Sequence, residues 1–470
     1  MASAATSSNA PALREPAAVE WPAHQPLAGC EAGSFAEGTI TVRLPAIVAG
    51  TLKDMEAVAA ASSDAAYAAQ LRAAATAIDA MRSELLTASA SCPADLVAPA
   101  WCSPALSVSV AATNCHMAAW RVRLGPADAP TWLALPWLLV ECYMYARIQV
   151  AIQAQPLLAA AKFDPFHVQK IAAFDKSRPS IASLGAAVSD LLEQGTQGGE
   201  EGVRDRLYQV MQYALWGNKT DLSLLVDASK IDPTALAAPS SDGGKASPYL
   251  IVDEFDAVWE LLRKTSGRSR RVDIVLDNSG LELYSDLCLG DALLACGLAD
   301  EVVFHGKPFA WFVSDTTEKD FAETLNLCAA PDPFGSEAWA PVQSLAARWK
   351  GHVAAGRWRY TEHPFWVTPA PFTWMAGLSP DLHGDLQAHS ALAIFKGDLN
   401  YRKLTFDCRW PWTTPFSRAL QGFGPCPILS LRTLKADVVV GLKPGEGEAL
   451  AQVDAGWQVN GKFGMVQGVV

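Results

Sequence analysis

The sequence predicts an α/β protein in which a mainly helical N-terminal half precedes a mostly parallel β-sheet with helices on both faces. Two patterns indicate this fold class. Before residue 245, apolar residues recur every three or four positions, which is the spacing of an amphipathic helix. After residue 248, short β-branched runs alternate with helical patterns, as is typical of parallel sheets covered on both faces. We therefore predict a helical domain at 1–245 and an α/β domain at 246–470.

Three amphipathic segments account for the helical half, namely 55–90, 132–162 and 203–216. The first is rich in alanine, the strongest helix former. Two polar, glycine-rich stretches interrupt the helical pattern. We expect 193–202 to be an exposed loop within the helical half, and 239–245 to be a linker or hinge between the halves.

Composition and charge limit the classes of function. The 470 residues carry a formal net charge of -12, which argues against non-specific binding to nucleic acid or to an anionic membrane, because both require excess lysine and arginine. The cysteines form no CxxC pair, a pattern typical of reduced thiols in an intracellular protein. The N-terminus has no continuous apolar stretch of the kind found in a secretory signal. We expect an intracellular, cytoplasmic protein, and the sequence indicates no particular oligomeric state.

The most apolar stretch of the chain, 131–152, contains Pro136, Glu141 and Arg147. A membrane-spanning helix needs about 20 residues with few or no charges. The uninterrupted apolar run before Glu141 is shorter than this. We therefore predict a buried helix preceded by a proline break, and no membrane partner.

The second half of the chain contains short apolar runs that are separated by helical patterns. We predict strands in six of them, at 249–253, 272–277, 301–306, 311–315, 392–398 and 437–442. In open α/β sheets, ligands bind outside the carboxyl ends of the strands. The residues that follow these runs are therefore the first candidates for chemistry.

Two of the predicted strands end in acidic residues. Asp277 ends the run at 272–277 and is followed by Asn278, and Asp315 ends the run at 311–315. If both strands lie in one sheet, these three side chains converge at one edge, and two carboxylates with an amide suit Mg²⁺ or Mn²⁺. Each acid can instead cap the helix that follows it. Spacing alone supports the metal site and the capping role about equally.

A second group of polar residues follows the predicted strand at 392–398. Lys396 and Gly397 are followed by Asp398, Asn400 and Arg402, and basic donors after a glycine at a strand end are what a phosphate site needs. Taken alone, the pattern is more typical of a solvated loop.

A weaker basic pair precedes the predicted strand at 437–442. Arg432 and Lys435 are three residues apart, which would place them on one face of a helix. No GxGxxG, GxxxxGK[ST] or GxSxG motif is present, so dinucleotide binding, P-loop hydrolysis and the α/β-hydrolase elbow lack support.

These motifs occur together, and in the same order, in a known family. The segment 276–317 closely resembles the damage-control phosphatase family, in its acidic-residue-methyltransferase-like branch with an RTxK motif. The similarity extends to LWGNKTDLS at 215–223, FKGDLNYRKL at 395–404 and RTLKAD at 432–437, and more weakly to 33–47. The resemblance spans nearly the whole chain.

The resemblance implies a helical N-terminal domain and a Rossmann-like C-terminal domain. It also implies a phosphatase that depends on Mn²⁺, Mg²⁺ or Co²⁺ and acts on small phosphorylated sugars, such as fructose 1-phosphate or fructose 6-phosphate. The family's catalytic metal ligands match Asp277, Asn278 and Asp315. Its substrate-binding residues match Asp277, Asn278, Glu282, Asp398, Leu399, Asn400, Tyr401, Arg402 and Lys435.

Two other functions remain open at this point. Members of this branch have been assigned S-adenosylmethionine-dependent methylation of protein carboxylates, and in that case Arg43 and Glu282 would lie near the methyl donor. The sequence shows no glycine-rich motif after an early strand to support it. The other alternative is a non-catalytic sugar-phosphate-binding module, which would need no metal. For a phosphatase, the nucleophile is either water or Asp277 itself.

Overall fold

A computed structural model of the chain describes six stretches of residues, namely 24–125, 130–217, 249–264, 270–333, 335 and 337–470. Within them, the second half of the chain forms a seven-stranded, mostly parallel sheet, and helices form most of the first half. The predicted α/β class is confirmed. The predicted linker at 239–245 and the domain boundary after it lie outside the described residues.

Strands β1 to β7 occur in the spatial order β1-β7-β6-β5-β2-β3-β4. Strands β2 to β6 run parallel, while β7 is antiparallel to β6 and β1 is parallel to β7. The strands are β1 Leu250–Asp253, β2 Arg271–Val275, β3 Glu301–Gly306, β4 Trp358–Glu362, β5 Ser390–Lys396, β6 Ile428–Thr433 and β7 Gly464–Val469.

The helices of the first half begin with a short turn that runs through a π-helical segment, Thr39–Arg43, into a long helix. They are α1 Phe35–Gly38, α2 Leu44–Ala61, α3 Ala65–Leu85, α4 Pro104–Leu124, α5 Trp137–Gln153, α6 Pro156–Ala160, α7 His167–Glu193 and α8 Gly199–Trp216. Residues 194–198 join α7 to α8, and most of the residues at 193–202 are exposed, but 199–202 already belong to α8, so the loop is shorter than predicted.

The helices of the second half alternate with the strands. They are α9 Phe255–Lys264, α10 Leu281–Ala295, α11 Glu318–Ala329, α12 Ala340–Ala354, α13 Met375–Leu378, α14 Pro380–His389, α15 Gly397–Leu404, α16 Phe416–Ala419 and α17 Glu446–Val453.

Helices cover both faces of the sheet because successive strand side chains point to opposite sides. Val275 and Phe395 pack into one apolar cluster with α2 to α5 and α15. Ile274 and Ile394 pack into a second cluster with α7, α8, α10 and α12. Helices from before residue 217 thus contribute to the core on both faces, so the two halves of the chain are packed together.

Two strand predictions are wrong. The run at 311–315 forms a turn, because Phe312 and Val313 adopt left-handed backbone angles, with φ values of 43° and 66°. The run at 437–442 is irregular, because its backbone hydrogen bonds are made to loop residues and not to a neighbouring strand. For example, Gly441 N donates to Thr414 O at 2.8 Å. Strands β4, β6 and β7 were not predicted.

Helix α5 corresponds to the most apolar stretch of the sequence. Most of its residues are buried, and the proline break precedes it as Pro136. In the part of the chain that the structure describes, no helix has the length and apolar character needed to cross a membrane.

Candidate active site

The two predicted polar motifs meet where the strand order of the sheet reverses. From β2 the chain moves outward through β3 and β4, whereas β5, on the other side of β2, leads to β6. In open α/β sheets a crevice forms at such a switch point, outside the carboxyl ends of the strands. Asp277 follows β2 there, and Gly397 follows β5.

Asn278 connects the acidic side chains of this crevice. Its Nδ2 donates to Asp277 Oδ2 at 2.9 Å and to Glu282 Oε2 at 2.8 Å. Its Oδ1 accepts from Ser314 Oγ at 2.5 Å. Glu282 can reach Asn278 because it is four residues further on, in the first turn of α10.

A loop, rather than a strand, brings Asp315 to the same place. Asp315 and Asn278 form an isolated antiparallel β-bridge. Beside it, Ser279 N donates to Ser314 O at 2.7 Å, and Thr316 N donates to Asp277 O at 2.8 Å. The structure therefore brings Asp277, Asn278 and Asp315 together, although the predicted route for Asp315 was wrong.

The carboxylates of the crevice are almost completely buried. Asp277, Glu282 and Asp315 are 5%, 2% and 1% exposed. Burial, followed by repulsion from Glu282 and Asp315, raises the pKa of Asp277 well above its usual value. Burial raises the pKa of Asp315 to about 6, although the positive charges of Lys307 and Lys170 lower it. The crevice therefore favours either a bound cation or protonation of these acids at a higher pH than usual.

The donor set fits a hard divalent cation. Among the described residues, no hydrogen bond is donated to Asp315 Oδ2, which is buried and lies 3.5 Å from Lys307 Nζ. In the same described residues, no group of three or more His, Cys, Asp and Glu side chains is placed to hold a metal ion by itself, so the site would depend on the Asn278 amide and on water or substrate for its other ligands. Two carboxylates and the Asn278 amide would thus leave coordination positions for water and substrate, as Mg²⁺ and Mn²⁺ require.

Gly397 allows β5 to approach Asp277 closely. A Cβ at this position would lie 1.9 Å from Asp277 Oδ2, and the residue has a φ of 78°. Both features require glycine, since other residues rarely adopt this backbone conformation. The glycine between Lys396 and Asp398 is therefore part of the site.

Two lysines outside the set of site residues that the family resemblance implied lie in the crevice, although the polar pattern after residue 392 already included Lys396. Lys307, directly after β3, donates to Leu276 O at 3.2 Å besides approaching Asp315. Lys396, the last residue of β5, lies 3.2 Å from Glu282 Oε1. Both end parallel strands, which is the signal that would have identified them. Their charges oppose those of the buried acids.

Asp398 and Lys435 are joined through the backbone. Asp398 Oδ1 accepts from Arg432 Nε at 2.7 Å and from the main-chain N of Lys435 at 3.2 Å. The Lys435 charge lowers the pKa of Asp277, as expected of a cation that faces the crevice. Arg432 belongs to β6, so the predicted shared helical face with Lys435 is wrong.

Three other residues of the predicted substrate-binding block make contacts within the fold. Asn400 Nδ2 donates to Lys396 O at 2.7 Å, which holds the start of α15 against the end of β5. Tyr401 Oη donates to Gln467 Oε1 at 2.9 Å, and Leu399 is 6% exposed in the core. These three side chains hold α15 against the sheet.

Arg402 is occupied by two carboxylates. Its guanidinium pairs with Glu141 Oε2 at 2.7 Å and with Asp407 Oδ2 at 2.8 Å, and it stacks over the Trp137 ring at 3.7 Å. The structure therefore places Arg402 between α5 and α15, as a buried link between them. Arg43 is exposed at the end of the π-helical turn. Burial raises the pKa of Glu141, and the charges of Arg402 and, more weakly, Arg43 oppose this rise.

A comparison with known families identifies the family of the chain. The model of the damage-control phosphatase ARMT1-like domain matches residues 39–450. The chain belongs to this family. Membership makes it a phosphatase of the damage-control class and implies a small phosphorylated substrate.

Individual members of the family are similar over most of their length. The damage-control phosphatase ARMT1 of Xenopus laevis is 43% identical over 350 residues, covering 73% of this chain and 77% of the relative. The Homo sapiens protein of that name is 41% identical over 342 residues, covering 72% and 75%. A crystal structure of a DUF89 family protein from Pyrococcus horikoshii matches with a TM-score of 0.37 and 14% identity, covering 84% of this chain and 92% of that chain.

Proposed function

We propose that the chain is a divalent-metal-dependent phosphatase that hydrolyses small sugar phosphates, such as fructose 1-phosphate or fructose 6-phosphate. One observation supports this most strongly. Buried acids and an amide lie opposite lysines at the switch point of a parallel sheet, in a member of a phosphatase family. Metal-type ligands and phosphate-type donors therefore share one crevice.

Asp277, Asn278 and Asp315 would hold the metal. A bound Mn²⁺, Mg²⁺ or Co²⁺ ion would supply positive charge to the phosphoryl oxygens and make the attacking water more acidic. Phosphoryl transfer depends mainly on positioning and charge neutralisation. Lys307 and Lys435 would neutralise the remaining phosphate charge. Arg402, for which the sequence suggested this role, instead holds α15 in place.

Of the predicted substrate-binding residues at 398–402, Asp398 is the one whose side chain can bind a sugar hydroxyl group. Its side chain is 13% exposed, whereas the Arg402 side chain is 4% exposed and paired. A carboxylate accepts hydrogen bonds from hydroxyl groups. Asp398 would thus orient the sugar, while Arg432 fixes the orientation of Asp398.

The decisive experiment is a phosphate-release screen over sugar phosphates with Mn²⁺, Mg²⁺, Co²⁺ or a chelator. We expect metal-dependent turnover that Asp277→Asn and Asp315→Asn each reduce by at least about 10²-fold, a typical loss when charge stabilisation is removed. Asp190→Asn, a substitution of an exposed acid on α7, is the matched control and should leave the rate unchanged. Full activity of Asp277→Asn would show that the proposed centre is wrong.

Three measurements separate the alternatives. A phosphorylated enzyme trapped by acid quench would identify Asp277 as the nucleophile, and its absence under full turnover would favour water. Calorimetric titration with S-adenosylmethionine tests the methyltransferase. A protein that binds sugar phosphate without metal and without turnover would be a binding module.

A further inference from the structure

The loop that carries Asp315 has an unfavourable backbone conformation. Phe312 and Val313 are consecutive non-glycine residues with φ values of 43° and 66°. A β-branched residue with positive φ is a marked outlier. Such conformations persist only when the surrounding structure enforces them, and they cluster at functional sites. Something must therefore hold this loop in place.

Helix α5 makes two of the contacts that hold it. The Tyr145 ring stacks on the Phe312 ring with centroids 4.7 Å apart and planes 27° apart. One turn later on the same helix, Gln149 Nε2 donates to Ala310 O at 3.1 Å. Both contacts come from the helical half of the chain, and both reach the loop just before Asp315.

Lys170 of α7 makes a third contact, directly to the main chain of Asp315. Its Nζ donates to Asp315 O at 3.0 Å, to Asp164 Oδ2 at 2.9 Å and to Asp320 Oδ2 at 2.7 Å. These three bonds use all three ammonium protons, and Lys170 is 5% exposed. Its position is thus fully determined by its partners.

Asp320 extends this contact to the other end of the loop. Its carboxylate accepts from Thr317 N at 2.9 Å and completes the capping box at the start of α11. Lys170 therefore joins the carbonyl of Asp315 to the cap that begins two residues later. The segment between Asp315 and α11 has little freedom to move while this lysine is present.

We propose that Lys170 is a positioning residue for the metal centre, through which the helical half of the chain holds Asp315 in place to bind the cation. The proposal rests on the proposed function, because it concerns the same metal ligand. Lys170 touches neither metal nor substrate. It acts through the main chain of Asp315 and through the cap of α11.

The test compares two substitutions on the same helix in the full-length protein. Lys170→Met removes the buried cation that contacts the loop. Arg178→Met removes another buried cation of α7, which pairs with Asp175 Oδ1 at 2.8 Å. We expect Lys170→Met to weaken Mn²⁺ binding by about 10–100-fold, the usual effect of losing a partner of a metal ligand. Arg178→Met should bind Mn²⁺ as wild type does.

Hydrogen exchange in the metal-free protein gives a second readout, which does not depend on activity. Amides of 309–317 should exchange faster in Lys170→Met than in wild type or Arg178→Met, because local opening becomes easier. Unchanged Mn²⁺ affinity and exchange in folded Lys170→Met would overturn the proposal. So would equal losses in Arg178→Met, since the effect would then be one of general stability.

A second variant keeps the proposal testable if Lys170→Met does not fold. Lys170→Gln conserves a polar side chain for the buried partners but removes the charge and donates at most two hydrogen bonds, one fewer than the ammonium group. We expect faster exchange at 309–317 and weaker Mn²⁺ binding, and no change in either would overturn the proposal. If wild-type protein neither binds Mn²⁺ nor releases phosphate, the proposed function fails, whereas the exchange data still show whether Lys170 holds the loop.

Discussion

Gly397 and Asp277 lie side by side where β5 and β2 end. The space between them is smaller than a methyl group, since a Cβ on Gly397 would lie 1.9 Å from the Asp277 carboxylate. The left-handed φ of Gly397 adds a backbone cost for any other residue. Asp277 depends on this glycine for its position in the site.

We predict that Gly397→Ala displaces Asp277 and reduces metal-dependent phosphate release by about 10²-fold, since a misplacement of about 1 Å can cost that much. The left-handed backbone should also cost roughly 1–2 kcal/mol of stability. Initial rates and urea unfolding measure the two effects. Gly384→Ala, on α14 with open space where its Cβ would lie, is the matched control: it should leave the rate unchanged and raise stability by about 0.5–1 kcal/mol, because alanine is the better helix former. If Gly397→Ala released phosphate at the wild-type rate, Asp277 could not depend on the close contact with Gly397.

Helices α5 and α15 are joined by a buried cluster of charges. Arg402 on α15 pairs with Glu141 on α5 and with Asp407 just after α15. The Arg402, Glu141 and Asp407 side chains are 4%, 8% and 3% exposed. Removing one member of such a cluster leaves the others buried without a counter-charge. The cluster thus couples the helical half to the element that carries Asp398.

We predict that Arg402→Met lowers the free energy of unfolding by about 3–5 kcal/mol, the usual cost of breaking a buried ion pair. Because Arg402 stabilises the fold and does not contact substrate in this proposal, activity should fall only to the extent that the protein unfolds. Urea unfolding measures the change. Arg72→Met, which breaks an exposed pair with Glu56, is the control and should cost about 1 kcal/mol or less. A stable Arg402→Met protein with a raised KM would restore Arg402 as a substrate ligand.

On the scale of the whole molecule, the buried acids link folding to pH. The pKa of Asp315 is raised to about 6, and that of Asp277 is also raised, so the folded state holds protons that the unfolded chain releases near pH 4. The contribution of Asp315 to stability is therefore fully present below pH 4 and is lost as pH rises through about 6, and the raised pKa of Asp277 acts in the same direction. A bound cation would prevent this loss of stability at higher pH, because the cation binds the deprotonated carboxylates.

We predict that metal-free wild-type protein loses more stability between pH 5 and 8 than Asp315→Asn does, by on the order of 1–3 kcal/mol. The comparison with the variant cancels the titrating groups outside the crevice, and the difference includes the part of the Asp277 shift that the Asp315 charge causes. Urea unfolding in chelator at both pH values measures it, and Mn²⁺ at pH 8 should restore the wild type alone. Equal pH dependence in the two proteins would mean that Asp315 titrates normally.

Local patterns in the sequence were sufficient for much of this fold. The β-branched run at 301–306 coincides with β3, because a strand buried on both faces is encoded as a short continuous apolar run. The run at 272–277 predicted β2 and placed Asp277 just beyond its end for the same reason. The run at 311–315 misled because its apolar residues pack in a turn, where tertiary contacts override β propensity.

The sequence by itself determined the α/β class, the strands that end in Asp277 and Lys396, and the family to which these motifs belong. Only the tertiary structure decided which charges meet. Lys170 contacts Asp315 across 145 positions, and Arg402 meets Glu141 across 261. Side chains so far apart along the chain have no local pattern in common, because the partner of a buried charge is set by which elements pack together.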